Sequence, residues 1–121
     1  AVGAGTRLGL DIELRDATRD LQALAAHSFD AGVQAALAAL PQAAQAAAFY
    51  RMWSGQEARI KLDAPCGAAY EFEHPLLSIA ACSSIELNAA PRLIATQLDC
   101  QDGECRLTSL TGPGTAGLPV R

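Results

Sequence analysis

The sequence predicts an α+β fold in which a long N-terminal α-helix, followed by a short second helix, packs on a small C-terminal antiparallel β-sheet. Three observations support this fold class. Apolar residues recur every three or four positions from Arg7 to Leu40, which is typical of one face of a helix. Pro41 then interrupts the pattern. In the second half of the chain, apolar and polar residues alternate, which is typical of half-buried strands.

The predicted long helix carries an apolar stripe along one face. The stripe includes Leu10, Leu14, Leu21, Leu24 and Phe29. A continuous helix over Arg7–Leu40 would be about 50 Å long at about 1.5 Å per residue. This length exceeds the diameter of a globule of 12.6 kDa, so we expect the helix to protrude or to pack along a partner.

A second, shorter helix is predicted directly after the first. Pro41 fits the first turn of a helix because its missing N–H needs no partner there. Ser54-Gly55 would end the helix. We therefore expect this helix over Gln42–Trp53.

The pattern of the residues after the second helix predicts the sheet. Asp102-Gly103 is a strong two-residue hairpin signal, and it lies between two extended runs. The runs with strand character are Ala58–Ala64, the segment around Tyr70 and Phe72, Arg92–Cys100 and Cys105–Leu110. Leu76–Cys82 fits either a strand or a short helix. We expect one domain over residues 1–110 and a flexible tail over residues 111–121, which is rich in glycine and proline.

The four cysteines are the residues with the clearest chemistry. They are Cys66, Cys82, Cys100 and Cys105. An even count in a short chain favours two structural disulfides in an oxidising compartment. In the predicted hairpin, Cys100 and Cys105 lie opposite each other with their Cα atoms about 4.5 Å apart, within reach of a disulfide. Cys66 would then be left with Cys82, although four cysteines allow three pairings.

Two other interpretations of the cysteines compete with disulfides. A structural zinc site needs four thiolates in a tetrahedral array, but the spacing is C-x15-C-x17-C-x4-C, in which only the last pair resembles a zinc knuckle. Free buried thiols are the other alternative. We expect no metal and no cofactor.

Charge and composition exclude several function classes. The 121-residue chain has 13 acidic and 9 basic residues, for a net charge of −4. This balance argues against binding to nucleic acid, which needs a basic face. His27 and His74 are the only histidines, and no nucleophile–base pair can be identified, so we expect no catalytic residues and a protein that is not an enzyme.

The order of these features resembles the soluble part of a type IV pilin-like protein, in the minor pilin or pseudopilin class. The long N-terminal helix, the alanine-rich segment Ala25–Leu40 and a C-terminal antiparallel sheet with cysteines in its last hairpin carry the resemblance. The hydrophobic helix start that defines the family is missing, and we expect it upstream of Ala1.

The resemblance implies a non-catalytic subunit of a type IV pilus or type II secretion filament. Its partners would be other pilin or pseudopilin subunits, bound through the helix face that contains Leu10, Leu14, Leu21, Leu24 and Phe29. The protein would be periplasmic or extracellular, and it would be anchored in the inner membrane before assembly only through the upstream segment.

The alternative is a periplasmic binding or adaptor module for a small apolar ligand or a partner protein. The uncharged stretch Ala31–Tyr50 and the cluster of Phe49, Tyr50 and Trp53 favour this function, because small-molecule sites are mostly apolar with few polar anchors.

Overall fold

The computed structural model describes residues 5–89, 91–94, 96–109, 115–116 and 118–119. A strand comes first, three helices follow, and the other strands come after them. The helices are α1 (Leu21–Ser28), α2 (Ala31–Ala38) and α3 (Gln42–Leu62). The strands are β1 (Leu8–Leu14), β2 (Ala68–Phe72), β3 (Leu77–Ser83), β4 (Arg92–Leu93), β5 (Thr96–Gln101), β6 (Glu104–Ser109), β7 (Thr115–Ala116) and β8 (Leu118–Pro119).

The main sheet has four antiparallel strands in the order β1-β3-β2-β8. Strand β1 therefore pairs with β3, a strand more than sixty residues later, with Ile12 opposite Ile79 and Asp11 opposite Ala80. Because successive side chains alternate between faces, β1 presents Asp11 to one face of the sheet and Ile12 to the other.

Helix α3 lies across one face of this sheet. Its residues Ala58 and Leu62 are almost fully buried against Ala80 and Cys82 of β3. Gly9 of β1 allows this close approach, since a Cβ atom added there would lie 2.0 Å from the carbonyl oxygen of Ala58. The packing fixes the distance between β1 and α3.

The two short helices build a second core cluster on the first half of α3. Asp20 caps α1 through the amide of Ala23, and Asp30 caps α2 through the amide of Val33. Their apolar faces pack around Phe49 of α3. The members of this cluster are Leu21, Leu24, Ala25, Phe29, Val33, Leu37, Ala48, Phe49, Tyr50 and Trp53.

The opposite face of the sheet is covered unevenly. Tyr70, Phe72 and Ile79 are buried there, with Leu87 and Leu93 packed against them. The outward residues of β1 stay exposed by 44–62%. They are Leu8, Leu10, Ile12 and Leu14.

The last hairpin has the register that the Asp-Gly pair predicts. Gln101 pairs with Glu104, and Asp102 and Gly103 form the turn with φ angles of 51° and 80°. Both φ angles are positive, as the type I′ turn requires. Strands β5 and β6 form a separate two-stranded sheet.

The predicted long N-terminal helix is wrong. The first element is β1, and the longest helix, α3, lies in the middle of the chain with strands before and after it. Leu10 and Leu14 are four positions apart, which fits one helical turn but also two strand repeats of two residues. Pairing with β3 decides in favour of the strand.

The predicted second helix begins at the expected residue but ends too early. It continues from Gln42 through Leu62, nine residues beyond Trp53. The segment Ala58–Ala64, predicted as a strand, contains the last turns of this helix, which ends at Asp63 in a left-handed conformation (φ 50°). Leu76–Cys82, which the pattern left undecided, corresponds to strand β3.

The predicted C-terminal tail and the predicted membrane anchor remain to be compared with the structure. Most of the tail predicted over residues 111–121 lies outside the described residues, and the four residues that are described pair with β4 and β2. Among the helices that the structure describes, none combines the length and the apolar character needed to cross a membrane.

Candidate active site

The candidate site lies between β1 and one flank of α3. Strand alternation directs Gly9, Asp11 and Glu13 of β1 toward the helix. Across from them, Trp53, Glu57 and Lys61 recur every four residues on α3, so these three side chains lie along one line of the helix.

Asp11 is the centre of the site. Its side chain is only 4% exposed, and its Oδ1 accepts a hydrogen bond from Lys61 Nζ at 2.7 Å. Its Oδ2 is buried and has no hydrogen-bond partner among the described residues. Burying a carboxylate oxygen without a partner costs free energy, so this oxygen points to a ligand.

Lys61 supplies the positive charge of the site. The hydrogen bond to Asp11 is the largest reason why the pKa of Lys61 is raised above its ordinary value, and the charges of Asp11, Glu57 and Glu13 raise it further. The side chain is half exposed. The negative charges of three carboxylates therefore act on one ammonium group, which stays protonated at neutral pH.

Glu13 is held by a tryptophan. Trp53 Nε1 donates a hydrogen bond to Glu13 Oε1 at 3.2 Å.

Glu57 accepts no hydrogen bond from the residues that the structure describes and acts on Lys61 through its charge. The described residues contain no group of three or more His, Cys, Asp or Glu side chains that could hold a metal ion by themselves.

A groove lies on the opposite flank of α3. It encloses about 670 Å³, and Arg51, Arg59 and Glu71 are the charged residues that line it. Its floor is made of small residues such as Ala80 and Cys82. Among the described residues, no buried polar atom without a partner faces this groove. The flank with Asp11, Glu13 and Glu57, called the carboxylate flank below, is therefore the better candidate for an active site.

The predicted assembly face does not exist as one helix face. Leu10 and Leu14 lie on the outward face of β1, whereas Leu21 and Leu24 belong to α1 and pack in the helical core. Phe29 follows α1 and packs edge-to-face on Phe49, with ring centroids 5.7 Å apart.

The four predicted disulfide cysteines fall into two groups. Cys100 and Cys105 are bridged, with Cα atoms 4.0 Å apart. Cys66 is an exposed thiol and Cys82 a buried one. Burial raises the pKa of Cys82 to about 11, and a hydrogen bond with Cys66 adds to this shift. The pairing of Cys66 with Cys82 stays a prediction.

The sequence alone does not predict the charged residues of the candidate site, which are Asp11, Glu13, Glu57 and Lys61, and it places Trp53 only in an apolar cluster with Phe49 and Tyr50. Asp11 and Glu13 alternate with apolar neighbours in the sequence, but the spacing of the leucines from Leu10 to Leu24 predicts a helix instead of a strand. Glu57 and Lys61 recur at helical spacing with Trp53, but the helix predicted from the sequence ends at Trp53, before Glu57. Correct assignment of β1 and α3 would have placed the acidic residues and the lysine on facing elements.

One comparison with known proteins identifies the family. The family model of the 4'-phosphopantetheinyl transferase superfamily (ACPS) matches residues 7–107. This match includes β1, all three helices and the hairpin cysteines. Neither the curated proteins nor the solved structures gave a match to the chain.

This match corrects the functional predictions. The superfamily consists of transferase enzymes that act on carrier proteins, so the predictions of a non-catalytic filament subunit and of pilin or pseudopilin partners are wrong. The pilus and secretion functions are not supported, and neither is the apolar-ligand module.

The predicted periplasmic or extracellular location is also wrong, since members of the superfamily are typically cytoplasmic. The pilin resemblance depended on a long N-terminal helix that the structure replaces with a strand. Because the family model matches well over half of the sequence, the chain belongs to the 4'-phosphopantetheinyl transferase superfamily.

Proposed function

We propose that this chain transfers the 4'-phosphopantetheinyl group from coenzyme A to a hydroxyl group of a carrier protein. Family membership supports the reaction class. The observation that carries the proposal for this chain is the buried, unpartnered Oδ2 of Asp11 beside the ammonium of Lys61. An anionic diphosphate needs positive charge at its site, and this flank of α3 offers one ammonium group together with carboxylates that could bind a divalent cation.

The reaction exchanges one phosphorus–oxygen bond for another. The acceptor hydroxyl oxygen bonds to the phosphorus that carries the pantetheine arm, and the bond from that phosphorus to the bridging diphosphate oxygen breaks. The nucleotide half leaves as adenosine 3',5'-bisphosphate, and the hydroxyl proton passes to a base. In such transfers most of the catalysis comes from positioning and from electrostatic stabilisation.

The carboxylates of the site fit Mg²⁺. This ion commonly binds through one or two carboxylates together with substrate phosphates. It therefore does not need a cluster of three protein ligands, which the described residues do not form. Asp11 and Glu13 would hold the ion, because they share one face of β1 and Asp11 has a buried oxygen without a partner. When bound, the ion neutralises negative charge on the diphosphate.

Lys61 and Glu57 have separate roles. Lys61 fixes Asp11 through its hydrogen bond. Its raised pKa keeps it charged and its side chain is half exposed, so its ammonium group can also attract a phosphate oxygen. Glu57 lies one helical turn before Lys61, and no described residue donates a hydrogen bond to it. We infer that Glu57 accepts the proton of the acceptor hydroxyl.

The test is a transfer assay with an apo carrier protein, coenzyme A and MgCl₂, read by intact mass spectrometry of the carrier protein. We expect a mass increase equal to one phosphopantetheinyl group. Asp11→Asn and Glu13→Gln should each lower the rate by about 100-fold, the usual effect of removing one electrostatic contact to a transition state.

Glu71→Gln is the matched control. Glu71 lies on the same face of the sheet as Asp11 but on β2, and it lines the groove on the opposite flank of α3. This variant should retain the wild-type rate. Transfer that is unchanged in Asp11→Asn, or no transfer by the wild-type chain, would refute the proposal.

A further inference from the structure

The chain contains a single tryptophan, and its polar atom contacts the candidate site. Trp53 Nε1 donates to Glu13 Oε1 at 3.2 Å. The indole is half-buried on α3, one helical turn before Glu57. A buried or half-buried indole N–H normally finds an acceptor, but here the acceptor is a carboxylate of the candidate site rather than a backbone carbonyl.

The indole ring is held from behind by other aromatic rings. Phe49, only 2% exposed, packs against Trp53 with the centroids 5.8 Å apart and the planes tilted by 34°. Phe49 also packs edge-to-face on Tyr50 and Phe29, at 5.1 Å and 5.7 Å. The helical core cluster therefore fixes the direction in which the N–H of Trp53 points.

Glu13 needs such a support more than Asp11 does. Asp11 is buried and tied to Lys61, whereas the glutamate side chain has one more rotatable bond and loses more entropy when it is fixed. The hydrogen bond from Trp53 occupies Oε1, and no described residue donates to the other oxygen. One carboxylate oxygen is thus held while the second is available.

We propose that Trp53 is a positioning residue that holds Glu13 for a divalent cation and that its fluorescence reports cation binding. The proposal rests on the proposed function only in taking Glu13 as a cation ligand. Groups that hydrogen-bond to metal ligands orient them, and their loss typically lowers metal affinity by 10–100-fold. Cation binding at Glu13 changes the charge beside the indole N–H and hence the emission of Trp53.

The first experiment titrates MgCl₂, and separately MnCl₂, into the chain without coenzyme A. Trp53 emission and isothermal titration calorimetry are measured in parallel. We expect both signals to give the same dissociation constant. Binding seen by calorimetry with no change in Trp53 emission would contradict the proposal, and this outcome needs no variant that must fold.

The second experiment compares two variants that each remove one hydrogen-bond donor from α3. Trp53→Phe keeps a ring but loses the N–H, and it should weaken Mn²⁺ binding in calorimetry by about tenfold. Tyr50→Phe removes the hydroxyl that donates to the carbonyl of Asp16 at 3.0 Å, in the same aromatic cluster. It should bind Mn²⁺ as the wild type does.

Steady-state kinetics separates positioning from a general loss of structure. In Trp53→Phe the Mg²⁺ concentration that gives half-maximal activity should rise about tenfold. The KM for coenzyme A at saturating Mg²⁺ should stay unchanged. Equal Mn²⁺ affinity in Trp53→Phe and wild type would overturn the inference even if transfer is observed. Conversely, cation binding that depends on Trp53 in a chain without transferase activity would refute the proposed function and leave the positioning role intact.

Discussion

Gly9 shows how one missing side chain shapes the site. A Cβ atom at this position would lie 2.0 Å from the carbonyl oxygen of Ala58 and 2.6 Å from the amide nitrogen of Leu62. Both atoms belong to the backbone of α3 and cannot rotate away. Any side chain at Gly9 would therefore push α3 from β1 and separate Lys61 from Asp11.

We predict that Gly9→Ala lowers the free energy of unfolding by about 1–3 kcal/mol, the usual cost of overpacking, and also lowers transferase activity. Urea denaturation measures the first effect. Gly55→Ala is the control, because its Cβ would meet only the flexible end of Arg59 at 3.4 Å and alanine favours the helix by about 0.8–1.0 kcal/mol. Equal urea midpoints for Gly9→Ala and the wild type would contradict this account.

The two thiols are expected to differ in reactivity. Cys82 is 1% exposed, and burial raises its pKa to about 11. At pH 8 only about one in a thousand Cys82 side chains would be thiolate, the reactive form. Cys66 is exposed.

We therefore predict that iodoacetamide labels Cys66 and spares Cys82 in the folded chain at pH 8, while Cys100 and Cys105 stay bridged. Peptide mass mapping counts the labels. The chain unfolded in urea is the control, in which both free cysteines should react. Comparable labelling of Cys82 in the folded chain would argue against its burial.

Among the helices and strands, the local sequence pattern predicts some boundaries correctly and others wrongly, and each outcome has a physical reason. Pro41 and the Asp102-Gly103 turn act through their own backbone preferences, so the start of α3 and the last hairpin could be predicted. The assignment of β1 depends on its partner β3, more than sixty residues away. The four-residue spacing of Leu10 and Leu14 does not distinguish a helix from a strand.

The candidate site could be predicted only in halves. Asp11 and Glu13 share a face because strands alternate, and Glu57 and Lys61 share a face because they are four apart on a helix. Their meeting depends on α3 crossing β1 at Gly9, which is a tertiary contact. No local periodicity encodes that contact.

The short helices support the site through the aromatic cluster, so their caps should matter for stability. Asp30 accepts a hydrogen bond from the amide of Val33 at 2.9 Å at the start of α2. We predict that Asp30→Ala lowers the free energy of unfolding by about 1 kcal/mol, as the loss of an N-cap usually does. Asp30→Asn keeps the capping oxygen and should match the wild type in urea denaturation, whereas equal losses in both variants would assign the effect to charge.

At the scale of the whole molecule, the distribution of charge distinguishes the two flanks of α3. Arg51 and Arg59 line the groove on one flank, while on the other the ammonium of Lys61 binds Asp11 and feels the negative charges of Glu13 and Glu57. The chain is acidic overall, with a net charge of −4. A diphosphate donor at the carboxylate flank would be repelled unless a cation offsets that charge, so cation binding and folding should be linked.

We predict that Mg²⁺ stabilises the folded chain after EDTA treatment. A ligand that binds only the native state raises the free energy of unfolding by about 2.7 kcal/mol when its concentration is one hundred times its dissociation constant. Here the gain comes from pairing the buried Oδ2 of Asp11 with the cation. Thermal unfolding should show a higher Tm with MgCl₂ than with NaCl at equal ionic strength. Asp11→Asn should lose this increment and Glu71→Gln should keep it. If Mg²⁺ and Na⁺ gave the same Tm in the wild-type chain, the unpartnered oxygen would not be a cation ligand, and the role assigned to the carboxylates of β1 would have to be abandoned.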